Sequence, residues 1–173
     1  MCSGKSTISE KILQKFPNLN FVNSDNFRAY FRNSFPYFQD LDESYETQKW
    51  SQASKVADIV REYFLELFMQ ESEMILLNKS WLNYEDRKRF LDMVPSEKYT
   101  KILVQTRISY EQLEKRILLR DSDGSRGNNW YKFQKEKREK LYEPVSDREA
   151  EYVLTYDQNN LAEILAFLEK QIN

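Results

Sequence analysis

The chain has 173 residues, 40% of them hydrophobic, so a single domain with a real core is expected. Its 26 basic and 28 acidic residues leave a net charge of −2, which excludes a general attraction for nucleic acid and makes any such contact local. A single cysteine excludes an internal disulfide and suits a reducing, cytoplasmic setting; without histidine, general-base work falls to a carboxylate or another group; no membrane span or signal peptide is visible.

The chain opens Met1-Cys2-Ser3-Gly4-Lys5-Ser6-Thr7, the closing half of the phosphate-binding pattern G-x-x-x-x-G-K-[ST]. A helix follows, with Ile8, Ile12 and Leu13 on one face and Phe16-Pro17 at its end. Backbone amides at such a helix start gather around phosphates, Lys5 adds a mobile positive charge, and the Ser6 hydroxyl can ligate Mg²⁺. A capped surface helix is the plainer alternative. The first glycine of the pattern and the strand before it would fall upstream of Met1, so the sequence reads as truncated.

Phe21-Val22 make a short buried strand, and Ser24-Asp25 cap a helix beginning Asn26-Phe27-Arg28. An acidic loop, 39–46, leads into the longest helix, roughly 44–70, with Ala53, Val56, Ala57, Val60, Phe64, Leu67 and Phe68 as its core face. Met74-Ile75-Leu76-Leu77 is a continuous apolar run, expected as a fully buried parallel strand. Asn78 to Asn83 form a loop, and Asp86 to Val94 a helix that ends before Pro95. Lys101 to Thr106 is the next strand. Ser109 caps a helix with Tyr110, Leu113 and Ile117 inward and Arg116 and Arg120 on one face. The polar segment 121–128 holds two of the three glycines. A charged helix follows, about 129–141, and Pro144 breaks it. Tyr152 to Tyr156 is the last strand; Leu161, Ile164, Leu165, Leu168 and Ile172 mark the final helix.

Alternating strands and helices imply parallel strands joined by right-handed crossovers, a doubly wound, three-layer α/β fold with the sheet flanked by helices. Ligands of such sheets sit beyond the carboxyl ends of the strands. Four clusters lie there: the phosphate-binding remnant; Asp25 with Arg28; Asn78-Lys79-Ser80; and Arg120 with Arg126 around the flexible segment. Asp25 could accept a proton from an attacking hydroxyl, and Arg28, one turn on, could grip a phosphate. Equally, Asp25 could be a helix cap and Arg28 a solvated side chain. Arginines on a closing lid can neutralise a phosphoryl group in transfer. Lys132, Lys135, Lys137, Arg138 and Lys140 interleave with Trp130, Tyr131 and Phe133, as single-stranded nucleic-acid binding requires. Glu136, Glu139 and Glu143 dilute that charge, and a solvated lid helix is the simpler reading.

Four segments together resemble one family: SGKST, VNSDNFR, LLNKSWLNYEDR and LEKRILLRD. The chain resembles the P-loop kinases typified by phage-type polynucleotide 5′-hydroxyl kinases, with the zeta-toxin and gluconate-kinase-like groups as neighbours. The resemblance runs over nearly the whole chain and implies one P-loop NTPase domain, 1–173, with a helical lid at about 120–143 and the first strand missing. It implies ATP and Mg²⁺ as cofactors and γ-phosphoryl transfer to a hydroxyl, with a polynucleotide 5′ end as the leading acceptor. Ser3, Gly4, Lys5, Ser6 and Thr7 would then hold the nucleotide phosphates, with Ser6 on the metal. Asp25 would ready the acceptor and Arg28 would bind its phosphate, while Arg120, supported by Arg116 or Arg126, would act from the lid. Gln158 to Asn160 would meet the adenine. Where the family carries an Asp that steadies the metal's water, this chain has Asn78 or Lys79. A nucleoside, sugar or other small acceptor, or a degenerate nucleotide-binding protein, are the alternatives.

Overall fold

The computed structural model describes residues 3–39, 48–71, 74–121, 136 and 138–172. Strands and helices alternate as the pattern predicts. They run α1 (Lys5–Lys15), β1 (Asn20–Asn23), α2 (Ser24–Ser34), a 3₁₀ turn (Pro36–Phe38), α3 (Gln48–Gln70), β2 (Ile75–Asn78), α4 (Tyr84–Met93), β3 (Ile102–Thr106), α5 (Tyr110–Asp121), β4 (Tyr152–Tyr156) and α6 (Leu161–Ile172). Residues 136 and 138–141 are also helical. The rest of the expected charged helix, with Trp130, Tyr131 and Phe133, lies outside the described residues, as do Cys2 and Arg126. The chain divides into two compact units. The first comprises Met1–Pro17, Ser80–Leu119 and Tyr131–Asn173; the second comprises Asn18–Lys79 and Arg120–Trp130.

In the first unit β3 and β4 pair in parallel, from Ile102 opposite Tyr152 to Thr106 opposite Tyr156. The ladder continues where the Arg107 N–H donates to the Tyr156 carbonyl at 2.8 Å. Ile8 and Ile12 of α1, Leu113 and Ile117 of α5, and Ile164 and Leu168 of α6 are buried, one stripe from each helix. The Ser109 hydroxyl caps α5 by accepting from the Gln112 N–H at 3.2 Å, as expected. Tyr110, expected inward, is 45% exposed; it occupies the first turn of α5, ahead of the Leu113–Ile117 stripe. Asn83 caps α4 through the Asp86 N–H at 2.8 Å, so that helix starts two residues earlier than its apolar pattern suggests.

One polar feature locks this unit. Arg87 is 2% exposed, and its guanidinium grips the Glu149 carboxylate with two nitrogens, Nε at 2.6 Å and Nη2 at 3.0 Å. Its remaining hydrogens reach the carbonyls of Leu82, Glu143 and Pro144. The Arg87 hydrogen bond holds the Glu149 carboxyl below the usual carboxylate range, against the opposing effect of burial.

In the second unit β1 and β2 pair in parallel, from Asn20 opposite Ile75 to Asn23 opposite Asn78. Helix α2 packs on α3 over Phe31, Ala53 and Ala57, with Phe27, Phe38 and Val60 around them. Phe27 stacks on Phe64 at 5.8 Å. The buried line of α3 is Ala53, Ala57, Arg61 and Leu65, a four-residue repeat that includes a charge. Val56 and Leu67, expected in that face, are exposed, because the true line lies a few tens of degrees around the helix from the one hydrophobicity marks. The run Met74–Leu77 is not fully buried either: Met74 is exposed and Ile75 to Leu77 are half-buried. Among the described residues β2 pairs with β1 alone, so one edge of the strand lacks the cover a central strand has.

Candidate functional site

The stretch Ser3-Gly4-Lys5-Ser6-Thr7 leads into α1 in the first unit, the helix starting at Lys5. Gly4 is the N-cap residue and has φ of +96°, left-handed backbone that a side chain strains. A Cβ on it would also meet the Tyr156 ring at 3.4 Å. The first intrahelical bond runs from the Ile8 N–H to the Gly4 carbonyl at 3.0 Å, so the amides of the preceding turn point out of the helix end. That turn contains no acidic side chain. Ser6 and Thr7 are exposed and Lys5 is half-buried. The Thr106 hydroxyl donates to Ser3 Oγ at 2.8 Å, which ties the approach to this turn to the carboxyl end of β3.

A cavity of about 360 Å³ opens beside the turn, lined by Ser3, Gly4 and Thr7, by Arg107, Gln112 and Arg116, and by Tyr156 to Asn159. The structure thus brings together Ser3, Gly4, Thr7 and Arg116, all expected as nucleotide contacts. The loop after β4 is internally braced. The Asp157 carboxylate accepts from the Asn159 N–H at 2.8 Å, and the Asn160 amide donates to the Thr155 carbonyl at 2.7 Å. Asn160, expected at the adenine, therefore braces the loop, while Gln158 and Asn159 line the cavity. Arg120 lies on α5 with its side chain outside the described residues, and Arg126 is outside them altogether.

Arg107 is a residue the sequence reading passed over. It follows β3 directly, at the carboxyl end where ligands of parallel sheets bind, so its position was the available signal. A helix start, two arginines and a polar cavity make a donor set that suits a polyanion with an attached ring system. The residues therefore fit a nucleoside polyphosphate.

The second unit carries the other expected pair at the carboxyl end of β1. Asn23, not Ser24 or Asp25, caps α2: its side-chain oxygen accepts from the Asp25 N–H at 3.0 Å. Asp25 consequently sits inside the first turn, where a carboxylate is favoured by the helix dipole. Its side chain is 64% exposed and forms an ion pair with Arg28. At the end of β2, Asn78 is buried and the Lys79 ammonium lies 2.5 Å from Asp58. Burial lowers the Lys79 pKa; the Asp58 hydrogen bond opposes this, and the charges of Arg61 and Arg28 add to the lowering. Burial works against the Asp58 charge, but Lys79 and Arg61 outweigh it and hold the carboxyl below the usual range. Lys79, one of the two residues that stand where the resemblance implies an Asp near the metal, is thus paired with a carboxylate from α3.

Parallel strands flanked by helices, with a glycine-headed helix at a strand's carboxyl edge, define the P-loop NTPase class of α/β fold. Residues 1–141 match the AAA domain family, and the chain belongs to that family. No curated protein sequence matches it. Among solved structures it is similar to a presumptive kinase from Chloroflexus aurantiacus J-10-fl, with a TM-score of 0.74 and 16% identity over 99% of this chain and 93% of that one. At that identity the likeness establishes the fold. Among the described residues no helix is long and apolar enough to cross a membrane.

Proposed function

We propose that the protein is an ATP-dependent phosphotransferase that moves the γ-phosphoryl group to a hydroxyl, with a polynucleotide 5′-hydroxyl as the leading acceptor. The observation that carries the reading is the left-handed Gly4 at the head of α1, beside a cavity lined by Arg107 and Arg116. The helix amides and Lys5 would hold the phosphates, and the cavity would take the nucleoside. Mg²⁺ would be held through Ser6 and the nucleotide's own phosphates, and would supply charge neutralisation to the phosphoryl group. Asp25 takes the acceptor's proton. Arg28 binds a phosphate next to the acceptor hydroxyl, and that phosphate competes with Asp25 for the guanidinium. An acceptor hydroxyl flanked by phosphate is what a carboxylate–arginine pair one helical turn apart recognises best, and it favours a nucleic-acid end over a neutral sugar.

The test is transfer of label from γ-labelled ATP to 5′-hydroxyl oligonucleotides, set against a panel of small alcohols. Labelling of small acceptors alone would replace the polynucleotide with a small-molecule substrate. No transfer to any acceptor, with ATP still bound, would leave a nucleotide-binding protein. Lys5→Ala should remove transfer, with a loss of at least about a hundredfold. Asp25→Asn should lower turnover by roughly a hundredfold to ten-thousandfold with ATP affinity unchanged, and equal losses in both would refute its role as base.

A further inference from the structure

Helix α3 buries Ala53, Ala57, Arg61 and Leu65 along one line. A guanidinium there is expensive, since an apolar side chain of similar size would serve the core at least as well. The partners of Arg61 show what the charge achieves. Its Nη1 donates to the Ser24 hydroxyl oxygen at 2.8 Å, an interaction that spans 37 positions of sequence between two buried residues. The same nitrogen pairs with Asp58, and Nη2 lies 3.6 Å from Glu62. Asp58 in turn takes the Lys79 ammonium at 2.5 Å. The chain Ser24–Arg61–Asp58–Lys79 therefore joins the first residue of α2, the middle of α3 and the residue after β2. Strand register explains the meeting: Asn23 stands opposite Asn78, so Ser24 and Lys79 leave the two parallel strands at the same level.

We propose that Arg61, with Asp58 and Lys79, is a positioning device for Asp25: by fixing Ser24 it sets where the first turn of α2 presents the acceptor-side carboxylate. This rests on the reading of Asp25 given above. Ser24 precedes Asp25 directly, and the Asn23 cap holds the Asp25 amide from the other side. The turn is thus held at two consecutive points, one local in sequence and one delivered by tertiary structure. Paired ions in a fixed geometry supply orientation more than net stability, and orientation is what a general base needs. None of these side chains has to touch substrate.

The experiment compares Ser24→Ala, Asp58→Asn and Arg61→Lys in the full chain by residue-resolved hydrogen exchange and by phosphoryl-transfer kinetics. Ser24→Ala removes only the hydroxyl and keeps the protein testable if an arginine variant fails to fold. The expected result is exchange about tenfold faster or more at the amides of residues 25–28, with the α1 amides unchanged. Turnover should fall about tenfold to a hundredfold while ATP affinity stays constant. In an Asp25→Asn background, Ser24→Ala should cost almost nothing further, because it acts through the residue already removed. Unchanged protection of α2 in Ser24→Ala and Arg61→Lys would overturn the proposal, as would uniform loosening of the whole chain or full additivity with Asp25→Asn. If α2 loosens as expected but Asp25→Asn leaves transfer intact, the role of Asp25 fails and Arg61 is reduced to an anchor of that turn. If Asp25→Asn abolishes transfer and α2 stays protected, the function stands and the positioning device falls.

Discussion

Two arginines, one in each unit, are each 2% exposed, and they do different work. Arg87 is enclosed by a carboxylate gripped with two nitrogens and by three backbone carbonyls, all within the first unit. Those carbonyls and Glu149 belong to segments around 82 and 143–149, so Arg87 fastens two stretches of chain far apart in sequence. Arg61 instead shares Asp58 with Lys79 and extends to a hydroxyl at the head of a helix whose next residue is an exposed carboxylate. Burial alone does not tell a guanidinium that braces the fold from one that reaches the neighbour of a candidate site residue. What its partners carry does: carbonyls lead back into the fold, whereas Ser24 leads to Asp25.

Breaking the first arginine should have the largest effect of this comparison. Arg87→Met leaves Glu149 buried without its partner and should cost about 3–5 kcal/mol in denaturant unfolding. Nucleotide affinity per folded molecule should be unchanged; a loss of affinity at full folding would mean that the two arginines are more alike than their partners suggest.

A smaller effect sharpens the contrast between buried and cavity-lining cations. Arg116 lines the cavity beside Gly4, and Arg116→Gln should weaken ATP binding by about 1.5–3 kcal/mol with little change in unfolding. Calorimetry with Mg-ATP reads this directly, and undiminished affinity would take Arg116 out of the nucleotide site.

The smallest effect is a pH dependence. The folded chain holds Glu149 ionised to lower pH than the unfolded chain does, so the unfolded state takes up the proton first. The stabilisation is complete above the ordinary glutamate value of about 4.3 and is lost as pH falls through the depressed folded value. Glu149→Gln should therefore flatten the acid limb of the stability curve, followed by circular dichroism from about pH 6 to about pH 3. An unaltered limb would show that other carboxylates govern it.

The elements were legible because each leaves a local mark. Hydrophobic period separated α1, α5 and α6 from β3 and β4, and Ser109 was readable as a cap. The glycine-headed helix start was readable because its signal lies in consecutive residues, Gly4 to Thr7. The α3 face was misplaced because its central buried residue is an arginine, which a hydrophobic pattern scores as solvent-facing. The Asn23 cap was missed because Ser24 and Asp25 are equally good capping types, and only the backbone shows which of three adjacent residues lies just outside the helix.

The amino-acid order alone determined the α/β alternation, the glycine-headed helix and the candidate pair Asp25 and Arg28, since each follows from neighbours within a turn or a strand. Tertiary structure alone decided that Arg107 joins Arg116 around one cavity, that Lys79 is paired with Asp58, and that Arg61 reaches Ser24. The contacts of Lys79 with Asp58 and of Arg61 with Ser24 span 21 and 37 positions of sequence, and no local propensity specifies them. They arise when parallel strands end level with each other and set distant side chains side by side.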